Sequence, residues 1–245
     1  MDGLFDEINA IETDLLSGNV MNTDDTQMRS TQRMVYGKDN SEPVLETAVN
    51  KSFKVTVRTY SNDRSTLQTV NPGKGRDGVE RDGILPKFNG SLCHDHDRKF
   101  YHYGKAHGTC GEHLVRELEG LKKSWDIPWA GGMRAFMLKM NDYKNEDLAA
   151  SKTSCDEEVL AGFETEYDEL IKDGRAALSQ LELTGGKSRI DALRPIVKRL
   201  ENFKDSYMLF MRDYEVPFTN NLAERDLRPD KTKQKISGCF KIWHF

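Results

Sequence analysis

The sequence predicts an α/β protein whose sheet is laid down early in the chain and whose remainder is largely helical. Three observations predict it. Phe53, Val55 and Val57 alternate with Lys54, Thr56 and Arg58, the period of two that a half-buried strand requires. The segments Val20 to Arg29 and Ser65 to Val70 also read as strands, the second joined to the alternating segment by a turn at Asn62 and Asp63. From His113 onward the apolar residues fall at helical spacing, first Leu114, Val115, Leu118 and Leu121, then Met133, Phe136, Met137 and Met140.

Taken in order, Leu4, Phe5, Ile8, Ile11, Leu15 and Leu16 recur at helical spacing, so a short amphipathic helix opens the chain and Gly18 offers its stop. The first strand is followed by a polar connection containing Gly, Asn and Pro. After the hairpin, the glycine-rich stretch Asn71 to Gly78 leads into a helix expected to end near Phe88, and Asn89-Gly90 introduces a short strand, Ser91 to His94. The order is therefore three strands, a helix and another strand. Farther on, Leu160 to Leu183 reads as a long charged helix, and Leu193, Ile196, Val197, Leu200, Phe203, Tyr207 and Phe210 form the cleanest amphipathic stretch. Pro217 to Ile236 begins with Asn-rich cap chemistry and turns basic toward its end. No internal repeat is visible.

Composition narrows the function class without choosing it. A chain of 245 residues with 37% apolar side chains can hold one large domain or two modest ones. No apolar run approaches the ~20 residues of a membrane helix, and Met1 to Asp6 lacks the basic start of a secretory signal, so the expected compartment is the cytoplasm. Cys93, Cys110, Cys155 and Cys239 are widely spaced and form no C-x-x-C pair, which favours reduced thiols over a disulfide framework. The net charge of −4 argues against a protein that coats nucleic acid. It leaves room for a nuclease-type domain, whose working residues are acidic.

Three acidic residues stand out by the elements that carry them. Asp24 lies inside the first predicted strand, where propensity disfavours a carboxylate. Asp95 follows the apolar end of the Ser91 to His94 strand, and sheet-based sites favour the carboxyl ends of strands. Glu224 lies in Asn220-Asn221-Leu222-Ala223-Glu224-Arg225, at the start of a helix. Two carboxylates about 4 Å apart repel by roughly 4 kcal/mol at an effective dielectric near 20. A hard divalent cation offsets that repulsion. Each residue also has a plainer reading: Asp24 as an edge or bulge residue, Asp95 as a turn starter, and Glu224 as the last member of a capping box begun by Asn221. Spacing does not separate these readings.

A longer pattern bears on them. Val216 to Arg228, with N-N-x-A-E-R at its centre, continues into Lys233-Gln234-Lys235-Ile236-Ser237-Gly238-Cys239-Phe240. It resembles the C-terminal signature of insertion sequence 66 family transposases, in which that glutamate completes a DDE triad. Gly90 to His96 is similar to the family's second-aspartate strand, G-x-L-x-H-D-H, and His107 to Leu118 to its H-x-x-C-x-x-H-x-x-R-E-L stretch. Asp24-Asp25-Thr26 resembles the first motif, D-E-T, with Asp25 in place of glutamate. The resemblance spans residues 10 to 240.

It implies an RNase H-like mixed sheet with flanking helices and a large helical insertion before the last catalytic helix. The expected organisation is a helix over 1–19, the RNase H-like core over 20–124, the insertion over 125–215, and the catalytic helix and tail over 216–245. The implied activity is metal-dependent cleavage and strand transfer of DNA. Asp24, Asp95 and Glu224 would be catalytic and hold two Mg²⁺ or Mn²⁺ ions. Arg225, Arg228, Lys231, Lys233 and Lys235 form the concentrated basic run expected to grip DNA, with Arg228 four residues after Glu224 on one helix face. The alternative for that run is a solvated helix end. His94, His96, His113 and Asn221 are expected to support the metal ligands. The implied partners are transposon-end and target DNA, and copies of this chain or a full-length transposase; no membrane is implied, and on DNA the protein would sit at the bacterial nucleoid.

The chain also departs from the family. Asp97 stands where Trp is usual, Gly111-Glu112 replaces Asn-Ala, and Lys241 to Phe245 does not match. The family's N-terminal coiled-coil, zinc-binding and DNA-recognition portions do not precede the first motif here, so truncation at both ends is expected. A competing reading is therefore a catalytically inactive remnant that acts as an interaction partner of full-length transposase. A third is a zinc-binding structural protein using His107, Cys110 and His113. Gly73-Lys74-Gly75-Arg76 lacks the P-loop pattern and reads as a turn.

Overall fold

In a computed structural model that describes residues 2–37 and 43–240, the apolar spacing of the N-terminus becomes α1 (Asp2–Ser17), followed after Gly18 by β1 (Val20–Ser30). The connection after β1 contains two strands that the sequence did not signal. β2 (Gln32–Val35) and β3 (Val44–Thr47) pair antiparallel as a separate ribbon. Their residues are mostly half-buried or exposed, so no apolar alternation marks them; instead Arg33 meets Glu46 across the ribbon at 2.8 Å. Part of the polar connection, 38–42, and the tail 241–245 lie outside the described residues.

The alternating segment is β4 (Phe53–Ser61), paired antiparallel with β1 and with β5 (Thr66–Asn71). The helix expected to reach Phe88 is shorter. α2 (Arg76–Asp82) stops at Gly83, whose φ of 71° is a left-handed cap, and a 3₁₀ turn, Leu85–Lys87, follows. The last strand of this region, β6 (Ser91–His94), runs parallel to β1, with Val20 opposite Ser91 and Asn22 opposite Cys93. Asn89-Gly90 leads into it for a steric reason. A Cβ on Gly90 would stand 2.4 Å from the Asn19 carbonyl oxygen and 2.5 Å from the Phe88 ring, and that same carbonyl accepts the Ser91 N–H at 2.8 Å.

The strand order β5-β4-β1-β6, antiparallel except for its last pair, is the RNase H-like mixed arrangement. Side chains alternate across it. One face buries Met21 and Tyr60 against Leu15, Val79, Leu85, Phe88 and Phe100. The other buries Met28, Val55 and Val57 against Leu227. These elements belong to a unit formed by Met1–Lys105 and Asn220–Phe245. Its C-terminal part holds α8 (Asn221–Asp226) and α9 (Arg228–Ser237).

A second unit, Ala106–Thr219, begins with β7 (Ala106–Thr109) and continues as helices: α3 (Gly111–Trp125), α4 (Pro128–Ala149), α5 (Glu157–Thr184), α6 (Lys187–Asn202) and α7 (Lys204–Arg212). The apolar stripes seen in the sequence form its core, with Leu118, Met133, Met137, Met140, Tyr167, Leu193, Leu200 and Met208 fully or almost fully buried. The amphipathic stretch from Leu193 to Phe210 is two helices, because Phe203 leaves helical geometry (φ −125°, ψ 31°). The buried Lys144 ammonium donates to the carbonyls of Phe210 and Val216 at 3.0 and 2.6 Å, so its charge does not lie bare in the core. Among the described residues, no helix is long and apolar enough to cross a membrane.

Candidate active centre

The first unit brings the strand and helix acids together through register. Asn22 is opposite Cys93 in the parallel pair, so two residues on, Asp24 comes level with Asp95, just past the end of β6. A carboxylate oxygen of Asp95 lies within 4.8 Å of one of Glu224 on α8.

Two polar ties hold α8 in place. At its start, the Asn220 amide donates to the Thr23 carbonyl at 2.9 Å and to Asp95 Oδ1 at 3.3 Å. The Asn22 amide donates in turn to Asn220 Oδ1 at 3.0 Å. At its end, Asp226 accepts from the hydroxyls of Ser61 and Thr66 at 2.7 and 2.8 Å, and the Gln68 amide donates to the Asp226 carbonyl at 2.9 Å. A six-residue helix cannot hold itself in water. Its position is set by these contacts and by Leu227, buried against Met28, Val55 and Val57.

This geometry corrects two local expectations. The cap residue is Asn220, which makes no side-chain cap bond. Glu224 therefore falls at the fourth helical position, one too late to close a capping box with the actual cap, Asn220, so Asn221 does not begin one. Nor do Glu224 and Arg228 share one helix. α8 ends at Asp226 and α9 begins at Arg228, because Pro229 has no N–H to continue the ladder and its ring crowds the preceding turn.

Asp24 carries the clearest electrostatic signature. Burial, and then the charge of Asp95, push its carboxyl up from 3.8 to about 6. Opposing them are Lys231 Nζ at 3.9 Å from Oδ2 and the Asp25 N–H, which donates to Oδ1 at 2.7 Å. The adjacent Asp25 does something different, because strand alternation sends it to the other face. There it pairs with the fully buried Arg58 at 3.3 Å, with Lys99 at 2.8 Å and with Lys74 at 3.4 Å. Arg58 also pairs with Asp82, which accepts from Tyr60 Oη at 2.7 Å. Asp97, the residue at the family's usual Trp position, joins this network through Lys99 and Lys74. Lys74 of the glycine-rich turn is thus a partner of carboxylates.

The remaining sequence candidates fall into separate places. Arg225, Arg228, Lys231, Lys233 and Lys235 are exposed on α8 and α9. His94 is buried, its Nδ1 accepting the His96 N–H at 3.2 Å, and the His96 ring lies 2.8 Å from Tyr101 Oη. Asn221 is exposed at the first position of α8. In the second unit, Cys110 Sγ and a ring nitrogen of His113 lie within 4.8 Å of each other. His107 is on β7, where burial lowers its pKa, and is not part of that close pair among the described residues.

Sequence reasoning missed Asn220, Asn22 and Asp226. The Asn-Asn pair was visible, but cap chemistry explained it equally well, and nothing local distinguished the asparagine that braces the aspartate. The donors that the first unit contributes to the close group, Asp95 and Glu224, are carboxylate oxygens, hard ligands of the kind divalent cations take. The crowding that raises Asp24 is also what a divalent cation relieves.

The family model described as Transposase IS66 family matches residues 2–243. No curated protein and no solved structure matches the chain.

Proposed function

The chain belongs to the IS66 family of transposases, and from that premise we propose that its first unit is a DDE catalytic domain that cuts DNA and joins the freed 3′ ends to target DNA. What supports the reading is that Asp95 has a carboxylate oxygen within 4.8 Å of one of Glu224. The β1–β6 register carried two residues on, and the Asp95 charge that raises the Asp24 carboxyl, put Asp24 near Asp95. In this reading Asp24, Asp95 and Glu224 would hold two Mg²⁺ or Mn²⁺ ions. Bound there, the ions would supply charge stabilisation for the attacking and leaving oxygens of a phosphodiester.

The protein's own residues set up that chemistry. Asn220 fixes the Asp95 carboxylate by donating to Oδ1. Asp226 anchors the helix that carries Glu224. Lys231 supplies a positive charge beside Asp24, and without metal Asp24 holds its proton up to a pH of about 6. Water attacks the phosphorus and the 3′ oxygen leaves, taking up a proton. That 3′ hydroxyl then loses its proton as it attacks a phosphorus of the target strand, whose own 3′ oxygen departs.

A cleavage assay on terminal-repeat DNA with Mg²⁺ tests the reading. Glu224→Gln keeps the size of the side chain and removes its charge, so cleavage should be lost while the fold persists. Equal cleavage by the variant and the parent would defeat the proposal. A folded parent that binds no metal and cuts no DNA would favour the inactive remnant that partners a full-length transposase.

A further inference from the structure

Beside the carboxylates, the first unit has a groove of about 470 Å³ lined by Thr26, Gln27 and Arg29 of β1 and by Lys231, Gln234 and Lys235 of α9. Its position follows from strand pairing. β6 pairs with β1 only over Val20 to Asn22. Farther along, Phe240 bridges to Ser30, and its N–H and carbonyl bond to Arg29 and Thr31, each at 2.9 Å. The groove lies between these two points and begins beside the centre, since Lys231 Nζ is 3.9 Å from Asp24.

Its chemistry is one-sided. Arg29, Lys231 and Lys235 are cationic, Thr26, Gln27 and Gln234 offer hydroxyl and amide donors, and no carboxylate lines it among the described residues. The β1 residues that line it, Thr26 to Arg29, span about 10 Å at 3.3–3.4 Å per residue, on the order of three phosphate spacings of one strand measured along a duplex axis. A small anion needs no such length, and a base-reading pocket would present stacking surfaces. We infer that this groove is the track for the DNA backbone flanking the cut, with Arg29 and Lys235 contacting phosphates and Thr26, Gln27 and Gln234 donating to phosphate oxygens. The inference rests on the transposase reading for its occupant and extends it to β1, which the basic run of α9 did not reach. Such contacts hold DNA in register without reading sequence.

The test is DNA binding by the full chain in EDTA, where the carboxylates need hold no metal, measured as affinity against salt. Each lost phosphate contact makes the log-affinity slope shallower by about 0.9 for duplex DNA. Arg29→Ala/Lys235→Ala should therefore flatten the slope by about 1.8 and weaken binding on the order of 50-fold at 0.1 M salt, equally for unrelated sequences. Arg29→Lys/Lys235→Arg should restore the parental slope. Lys87→Ala, which removes an exposed lysine paired with Glu12, should leave it unchanged. An unaltered slope in the double alanine variant overturns the proposal, as does an equal loss in Lys87→Ala, failure of the charge-keeping variant to recover, or a parent that does not bind DNA. The two proposals fail separately. Cleavage indifferent to Glu224→Gln sinks the catalytic reading and leaves the slope standing, whereas an indifferent slope sinks the groove and leaves cleavage standing.

Discussion

Replacing Asp24 by asparagine should make the metal-free protein more stable, and the size of the gain can be worked from its surroundings. Burial and the Asp95 charge carry the carboxyl from 3.8 to about 6, even with Lys231 opposing them at 3.9 Å. At 1.36 kcal/mol per tenfold change, the ionised form is disfavoured by about 3 kcal/mol. The sign follows from linkage. The folded carboxyl holds its proton more tightly than the unfolded one, so this contribution to stability is complete below about pH 3.8 and is lost as the pH rises to about 6. Asparagine keeps an Oδ1 that can accept the Asp25 N–H, and it carries no charge to repel Asp95. In EDTA, Asp24→Asn should therefore exceed the parent in urea unfolding by up to about 3 kcal/mol at pH 8, and the advantage should shrink toward zero near pH 4. Adding Mg²⁺ should reverse the order, because the parent gains RT ln(1 + [Mg²⁺]/Kd) and the variant gains less. A variant no more stable than the parent at pH 8, or equally favoured at both pH values, would refute the argument.

Asp226→Ala removes the acceptor of Ser61 and Thr66 and should cost about 2 kcal/mol, in line with hydrogen bonds to charged groups. Calorimetric titration should also show weaker Mg²⁺ binding, because α8 carries Glu224. Arg58→Met leaves Asp25 and Asp82 buried without their guanidinium, and thermal unfolding should register a loss of about 3–5 kcal/mol.

Much of the fold could be read from the sequence wherever burial imposed a period. β4 was legible because Phe53, Val55 and Val57 face inward, and α4 because Met133, Phe136, Met137 and Met140 do. The ribbon of β2 and β3 was not, since it buries too little to impose a pattern. Arg58 illustrates the opposite failure. In the alternation it reads as a solvent-facing partner of Val57, yet it is completely buried, because Asp25 and Asp82 neutralise it from other elements. No period encodes a partner 24 or 33 residues away. At the centre, Glu224 was legible through its surrounding motif. The bracing role of Asn220 was not, because it depends on where Thr23 and Asp95 come to lie.

The two adjacent aspartates carry the most exacting structural demand. A slip of one residue in β1 would exchange their faces, presenting Asp25 to α8 and turning Asp24 toward Arg58. Composition would hardly resist such a slip, for both residues are the same. What resists it is the set of partners on each side. On one face Asn22 engages Asn220 and Met28 packs on Leu227; on the other, Met21 joins the core around Tyr60 and Asp25 meets Arg58 and Lys99. The buried ion network is thus distant from the chemistry in role but adjacent to it in sequence. Exchanging a buried ion network for well-packed apolar groups is often neutral or stabilising, so its energetic value alone is a weak reason for its presence. Its positional value is a stronger one, because while Asp25 stays on Arg58, Asp24 must face α8.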